Sequence, residues 1–327
     1  MNASRAFDLY GQAVEFHCDN AIALDKLLGS LLPSFPLRPL TTTGDPSALR
    51  LQVTFTDLAV GVPPTVTKTS SLFGLNTYQV DGQHVVFDES SIFKTTPRNG
   101  SGELRLHSAF AKQSILYQHN FILLGFFPLL LSRGFYDLHA AGLVRNDDAY
   151  LLIGESGSGK STAALNLVRA GWQYLSDDAL LLRREDDAIF AMGFRHKFLL
   201  KPATNTGPTA DTTSEERVGN KNILDMARKF PGQLRQRAQP RVLIFTAISD
   251  TEQSALTPLN ANNALLRLIQ QSSSLSFNRD YATEQLALLR DLAQHCASYE
   301  LRAGRDVHKN PQKLAQLLTT THAEQVA

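Results

Sequence analysis

The stretch from Tyr150 to Thr162, YLLIGESGSGKST, constrains this chain more than any other. An apolar run, Tyr150 to Ile153, leads into Gly154, and Gly159, Lys160 and Ser161 complete the G-x-x-x-x-G-K-[ST] spacing of a phosphate-binding loop. Glycines at 154, 157 and 159 let main-chain N–H groups curl round a phosphate without Cβ clashes. The helix-like run from Thr162 to Arg169 then aims its positive end at the same anion. Lys160 is expected to place a cation on the β- and γ-phosphates, and the Ser161 hydroxyl to ligate Mg2+. The expected nucleotide contacts are Gly154, Ser156, Gly157, Ser158, Gly159, Lys160, Ser161 and Thr162. A chance Gly/Ser-rich turn is the alternative; the strand-like run before it and the helix-like run after it favour the nucleotide.

A chain of 327 residues is long for one core and suggests roughly two domains. Its 32 basic and 31 acidic side chains leave no net field to draw nucleic acid or an anionic membrane, so neither partner is expected. Cys18 and Cys296 lie far apart without a C-x-x-C partner, which argues against a disulfide framework or a zinc site and for buried thiols. The opening MNASRAFDLYGQ has no basic region followed by an apolar one, and the expected location is cytoplasmic.

Residues 1–107 read as a small β-rich domain. Leu49 to Phe55 alternates apolar and polar residues, Thr77 to Val80 and His84 to Phe87 flank the hairpin signal Asp81-Gly82, and Glu103 to His107 alternates again. Asp19 to Leu32 reads as a helix capped by Asn20 or Asp19, and Thr65 to Ser71 as a polar loop. Residues 108–327 read as the second domain. It opens on Ala109 to Leu131, where Lys112, Gln113, Gln118, His119 and Asn120 leave too short an apolar run for a membrane span; a buried helix is expected. Strands follow at Phe135 to Val144, Ala149 to Ile153 and Trp172 to Leu175.

The last of these delivers Ser176-Asp177-Asp178. Ligands of an open α/β sheet collect at the carboxyl ends of its parallel strands. If Trp172 to Leu175 runs parallel to the strand before Gly154, the acidic pair lands beside the phosphates. One carboxylate could then take the proton of an attacking hydroxyl while the other helps hold the metal. A solvated Asp-Asp turn is the plain alternative.

Leu138 to Leu182 combines a histidine-bearing strand (LHAAGLV), the glycine-rich loop, a helix ending in Arg169-Ala170-Gly171 and a strand ending in Asp177-Asp178. In order and spacing this resembles the catalytic core of HPr kinase/phosphorylase and its relatives. The resemblance implies an α/β fold, a P-loop kinase core of the HPr kinase and phosphoenolpyruvate carboxykinase type: a mixed sheet flanked by helices, here preceded by the small β-rich α+β domain. It further implies ATP and Mg2+ as ligands and transfer of phosphate to a serine-type hydroxyl. By position, Asp177 resembles the catalytic base, Asp178 an active-site carboxylate near the metal, and His139 the histidine beside the base. The alternative for His139 is a structural histidine at a strand start. The stretch Ala191 to Pro202 departs from the family's glycine-rich signature, so neither HPr as acceptor nor the reverse phosphorylase reaction is implied. The chain is more similar to the HPr-kinase-related kinases of bacterial peptide-maturation clusters, and Asp8 to Gly11 resembles their opening strand. Oligomers are common among such relatives, which makes a homo-oligomer an expectation, with the apolar Ala109 to Leu131 as either core or interface.

Arg195, His196, Lys197 and Lys201 surround the strand-like Phe198 to Leu200. Arg195 and Lys201 either neutralise the transferred phosphoryl group or line a solvated edge. Thr204 to Asn220 shows no periodicity and reads as a loop, Arg241 to Ala247 as a central strand, and Gly304-Arg305-Asp306 as a turn holding an ion pair. The only candidate for a guanine-reading Asn-Lys-x-Asp, Asn220 to Ile223, fails at its last position, and Ile248-Ser249-Asp250 lacks the acidic pair of an ABC-type ATPase. The expected function is an ATP- and Mg-dependent kinase acting on a hydroxyl of a peptide, protein or small molecule. A nucleotide-dependent, non-catalytic binding module on the same fold is the rival.

Overall fold

The computed structural model describes residues 3–32, 35–42, 44–58, 68–72, 74–88, 90–194, 197–200, 216–218, 221–277 and 279–326. The chain divides into two compact units, Met1–Phe135 and Tyr136–Ala327.

In the first unit the strands are β1 (Ala3–Leu9), β2 (Gln12–Cys18), β3 (Arg38–Leu40), β4 (Leu49–Thr56), β5 (Lys68–Leu72), β6 (Leu75–Val80), β7 (Gln83–Phe87), β8 (Ile92–Thr96) and β9 (Ser101–His107). They form one sheet in the order β3-β1-β2-β4-β9-β8-β7-β6-β5. The alternation in β4 buries Leu49, Leu51 and Val53 and exposes Arg50 and Gln52, the pattern of a sheet with one covered face. Asp81 and Gly82 join β6 to β7 with φ of 48° and 75°, the left-handed pair a two-residue hairpin needs. Tyr10 and Gly11 do the same between β1 and β2, with φ of 51° and 84°, so of Asp8 to Gly11 the first two residues end the opening strand β1 and the last two form its turn. Thr65 to Ser71, expected as a loop, contributes β5 from Lys68 on; its earlier residues lie outside the described ones.

Helix α1 (Ala21–Leu31) is capped by the Asn20 side chain, which accepts from Ala23 N, and buries Leu24, Leu27, Leu28 and Leu31 on one stripe. Helix α2 (Ile115–Leu131) is buried from Gln118 onward and packs on β7 and β8. Gly125 permits this approach, since a Cβ there would sit 2.0 Å from the Phe93 ring. The boundary between units therefore falls after Phe135, not at residue 107: the apolar helix belongs to the core of the first unit. Among the described residues no helix is long and apolar enough to cross a membrane.

The second unit is α/β with a mixed sheet. Its elements run β10 (Tyr136–Leu138), β11 (Ala140–Arg145), β12 (Asp148–Ile153), α3 (Lys160–Arg169), β13 (Gln173–Ser176), β14 (Leu180–Glu185), β15 (Ala188–Gly193), β16 (Lys197–Leu200), β17 (Glu216–Val218), β18 (Lys221–Asp225) and α4 (Met226–Lys229). Then follow β19 (Arg237–Ile248), β20 (Ala255–Pro258), α5 (Ala261–Gln270), α6 (Ser274–Phe277), α7 (Ala282–His295), β21 (Ala297–Ala303), α8 (Arg305–Lys309) and α9 (Pro311–Val326). The main sheet has the order β10-β14-β15-β19-β12-β11-β13, with β21 pairing β19 and β20. Strands β12, β19 and β21 are mutually parallel, whereas β11 runs against β12.

Helix α3 lies over this sheet, burying Leu165, Leu167 and Val168 against Tyr150, Trp172 and Ile244, with Leu314 of α9 beside them. Each such side chain contributes about 1.5–3 kcal/mol through the water it leaves. A separate small sheet, β16-β18-β17, takes in Glu216–Val218 from the stretch expected to be a loop. Arg305 pairs with Glu252 at 3.0 Å and Asp306 with Lys313 at 3.7 Å, so the expected turn ion pair is two separate pairs. Cys18 and Cys296 are buried free thiols.

Candidate functional site

Three strand ends converge on one rim of the second unit. β12 stops at Ile153 and gives way to Gly154, and β19, parallel to it, pairs Phe245 with Ile153. On the other side β11 begins at Ala140, which pairs with Ile153, so His139 stands level with Gly154. β13 is antiparallel to β11 and therefore runs the same way as β12. Ser176 and Leu151 flank Gly142 from opposite sides, two strand spacings or about 10 Å apart. Asp177 and Asp178 consequently leave the sheet on the rim where Gly154 leaves it, with His139 between them.

The expected strand Phe135 to Val144 is two strands, β10 and β11, broken at His139, because β10 pairs with β14 and β11 with β12 and β13. Two anchors hold the break. His139 N donates to Gln271 O at 2.8 Å. Two residues earlier, the Asp137 carboxylate accepts from Ser273 N at 2.9 Å, Ser273 Oγ at 2.6 Å, Gln285 Nε2 at 3.3 Å and the Ser274 hydroxyl. With the backbone so fixed, His139 Nδ1 donates to the main-chain oxygen of Asp178 at 2.8 Å.

The loop itself closes tightly. A Cβ at Gly154 would come within 2.9 Å of the Thr246 carbonyl and 2.7 Å of Ser158 Oγ, so only glycine fits. Gly159 caps α3 with φ of 94°, a left-handed value that lets the chain turn from loop to helix. Lys160, 5% exposed, donates from Nζ to the carbonyls of Gly154 (2.6 Å) and Glu155 (3.0 Å), which folds its ammonium into the loop's concavity. Glu155, Ser156 and Gly157 are exposed, Ser158 is half-buried, and Ser161 and Thr162 open the first turn of α3, half-buried. Ser158 Oγ lies 2.9 Å from Thr246 Oγ1, a strand-end residue that the sequence pattern did not single out.

Asp177 is 1% exposed; Asp178 is less buried. Tyr174 stands near Asp177. Burial pushes its phenol well above the usual range and the carboxylates of Asp225 and Asp177 push it further, so it stays protonated. Arg195 and Lys201 lie outside the described residues. Lys197 opens β16.

The arrangement fits a nucleotide. Glycine-only backbone, a helix N-terminus and a lysine inside the curl provide for phosphates. Among the described residues no three His, Cys, Asp or Glu side chains stand together to hold a metal by protein ligands alone. Mg2+ needs no such cage: it is held through one or two side chains plus phosphate oxygens and water, for which Ser161 and Asp178 are the candidates.

No protein-family model matches the chain, and no curated protein matches it in sequence. Among solved structures it is similar to the HPr(Ser) kinase/phosphatase from Coxiella burnetii, at 15% identity over 58% of this chain and 92% of that one, with a TM-score of 0.34.

Proposed function

We propose that this chain is a kinase that moves the γ-phosphate of Mg·ATP to a hydroxyl of a peptide, protein or small-molecule acceptor. One observation carries the reading: β12 and β13 run the same way, so the phosphate loop and the Asp177-Asp178 pair share a rim, with His139 between them. In this account the loop's N–H groups and the N-terminus of α3 hold the phosphates, and Lys160 shifts from the Gly154 and Glu155 carbonyls onto the β/γ oxygens. Bound with the nucleotide, Mg2+ would neutralise phosphate charge, with Ser161 and Asp178 as its protein ligands. Asp177 accepts the proton as the acceptor oxygen bonds to the γ-phosphorus and the bond to the bridging oxygen breaks, releasing ADP. His139, tied to Asp178 O, keeps a fixed ring beside that base.

A second reading, a nucleotide-dependent binding module without catalysis, is favoured by the depth of Asp177: at 1% exposure it meets an acceptor only if the rim opens. Incubation with ATP, Mg2+ and a panel of serine-containing peptides and small alcohols, read by mass, separates the two. Gain of phosphate by one acceptor supports the kinase; nucleotide binding with no transfer to any of them supports the module.

A further inference from the structure

Resting on that kinase reading of the loop, we infer that Thr246 is a positioning residue for phosphate binding, acting through Ser158. Thr246 lies near the end of β19 and is 8% exposed. It brings no charge to the rim. Its Oγ1 donates to the carbonyl of Ile153, the last residue of β12, at 3.3 Å, and stands 2.9 Å from Ser158 Oγ. A hydroxyl has one proton, so with that of Thr246 on Ile153, Ser158 is the donor of the second bond. The chain of bonds runs from the loop's crest to the sheet.

Three segments meet there. Gly154 is hemmed in by Ser158 Oγ and the Thr246 carbonyl, and Ser158 immediately precedes the left-handed Gly159 that starts α3. Holding Ser158 thus holds the backbone on both sides of the curl in the shape that receives phosphate before any arrives. A site shaped in advance loses less freedom on binding. Because the loop grips the phosphates in ground and transition state alike, loss of the hydroxyl raises KM and leaves kcat nearly unchanged.

Thr246→Val removes the hydroxyl at nearly constant volume. Titrated calorimetrically with Mg·ATP, this variant should bind about tenfold more weakly, the effect of losing a buried hydrogen bond, and Thr246→Ser should restore binding. Ser158→Ala breaks the same pair from the loop side, so it decides the matter even if Thr246→Val fails to fold. The double variant should bind no more weakly than either single one. Thr246→Val or Ser158→Ala binding as tightly as wild type, while Lys160→Ala loses binding, would overturn the inference, as would losses that add in the double variant. Wild-type affinity in Lys160→Ala would overturn the kinase reading itself.

Discussion

Nδ1 of His139 lies 2.8 Å from the main-chain oxygen of Asp178. A carbonyl only accepts, so Nδ1 carries the proton of this contact. It also couples the start of β11 to the end of β13 at the rim where the loop begins. His139→Ala is expected to lower turnover by roughly ten- to a hundredfold with little change in nucleotide affinity. His139→Asn, whose amide can still donate to the carbonyl, should recover part of that loss. Steady-state kinetics on both variants, set beside calorimetric ATP binding, checks this; equal turnover in all three proteins would reduce His139 to a structural residue.

Lys160 makes its two carbonyl contacts from a nearly buried position, so its truncation removes a cation that little else in the loop can replace. We expect Lys160→Ala to lose at least tenfold in Mg·ATP affinity and more in turnover, with the melting temperature almost unchanged. Equilibrium binding by fluorescence or calorimetry is the check.

Gly154→Ala would force a Cβ to 2.9 Å from the Thr246 carbonyl, a backbone atom that cannot swing aside. The loop must shift, and nucleotide binding should fall by more than tenfold while circular dichroism stays that of the wild type. Retained binding would mean that the loop receives phosphate in another shape.

The carboxyl of Asp306 is held below its ordinary value of 3.8, first by the Ser254 hydroxyl and then by the N–H groups of Ser254 and Val307 and by Lys313, against an opposing effect of burial. Its folded pKa being the lower one, the stabilisation is present in full above the ordinary value and is lost as pH falls through the folded one. Asp306→Asn should therefore be less stable than wild type at pH 7, by about 1 kcal/mol once solvent screening is allowed for. The two proteins should converge in strong acid. Urea titrations at pH 7 and pH 2.5 test the sign; a gap that widens on acidification would contradict it.

Much of this rim was legible in the sequence. The spacing of Gly154, Gly159, Lys160 and Ser161 is itself a geometric statement, and Asp177-Asp178 follows a strand whose direction the α3 crossover makes predictable. The break at His139 was not legible, because LHAAGLV is apolar on both sides and only the change of pairing partner interrupts it. Thr246 hid for a similar reason: in a Val-Leu-Ile-Phe-Thr run it reads as one more β-branched strand residue, and its contact depends on the register of β19 against β12. β2 is legible in the sequence, where Val14, Phe16 and Cys18 alternate with Glu15 and His17; what the pattern does not carry is the burial of Glu15 on its polar side. Helix α2, apolar all round, carries no mark of which sheet it covers.

The central claim is that a carboxylate at the end of β13 removes the acceptor's proton while the loop after β12 holds the donor. Transfer of labelled γ-phosphate by wild type and by Asp177→Asn, with nucleotide affinity measured on the same preparations, tests it most directly. Unchanged affinity with a rate reduced roughly a hundredfold or more is the predicted result. Equal rates for the two proteins would contradict the account.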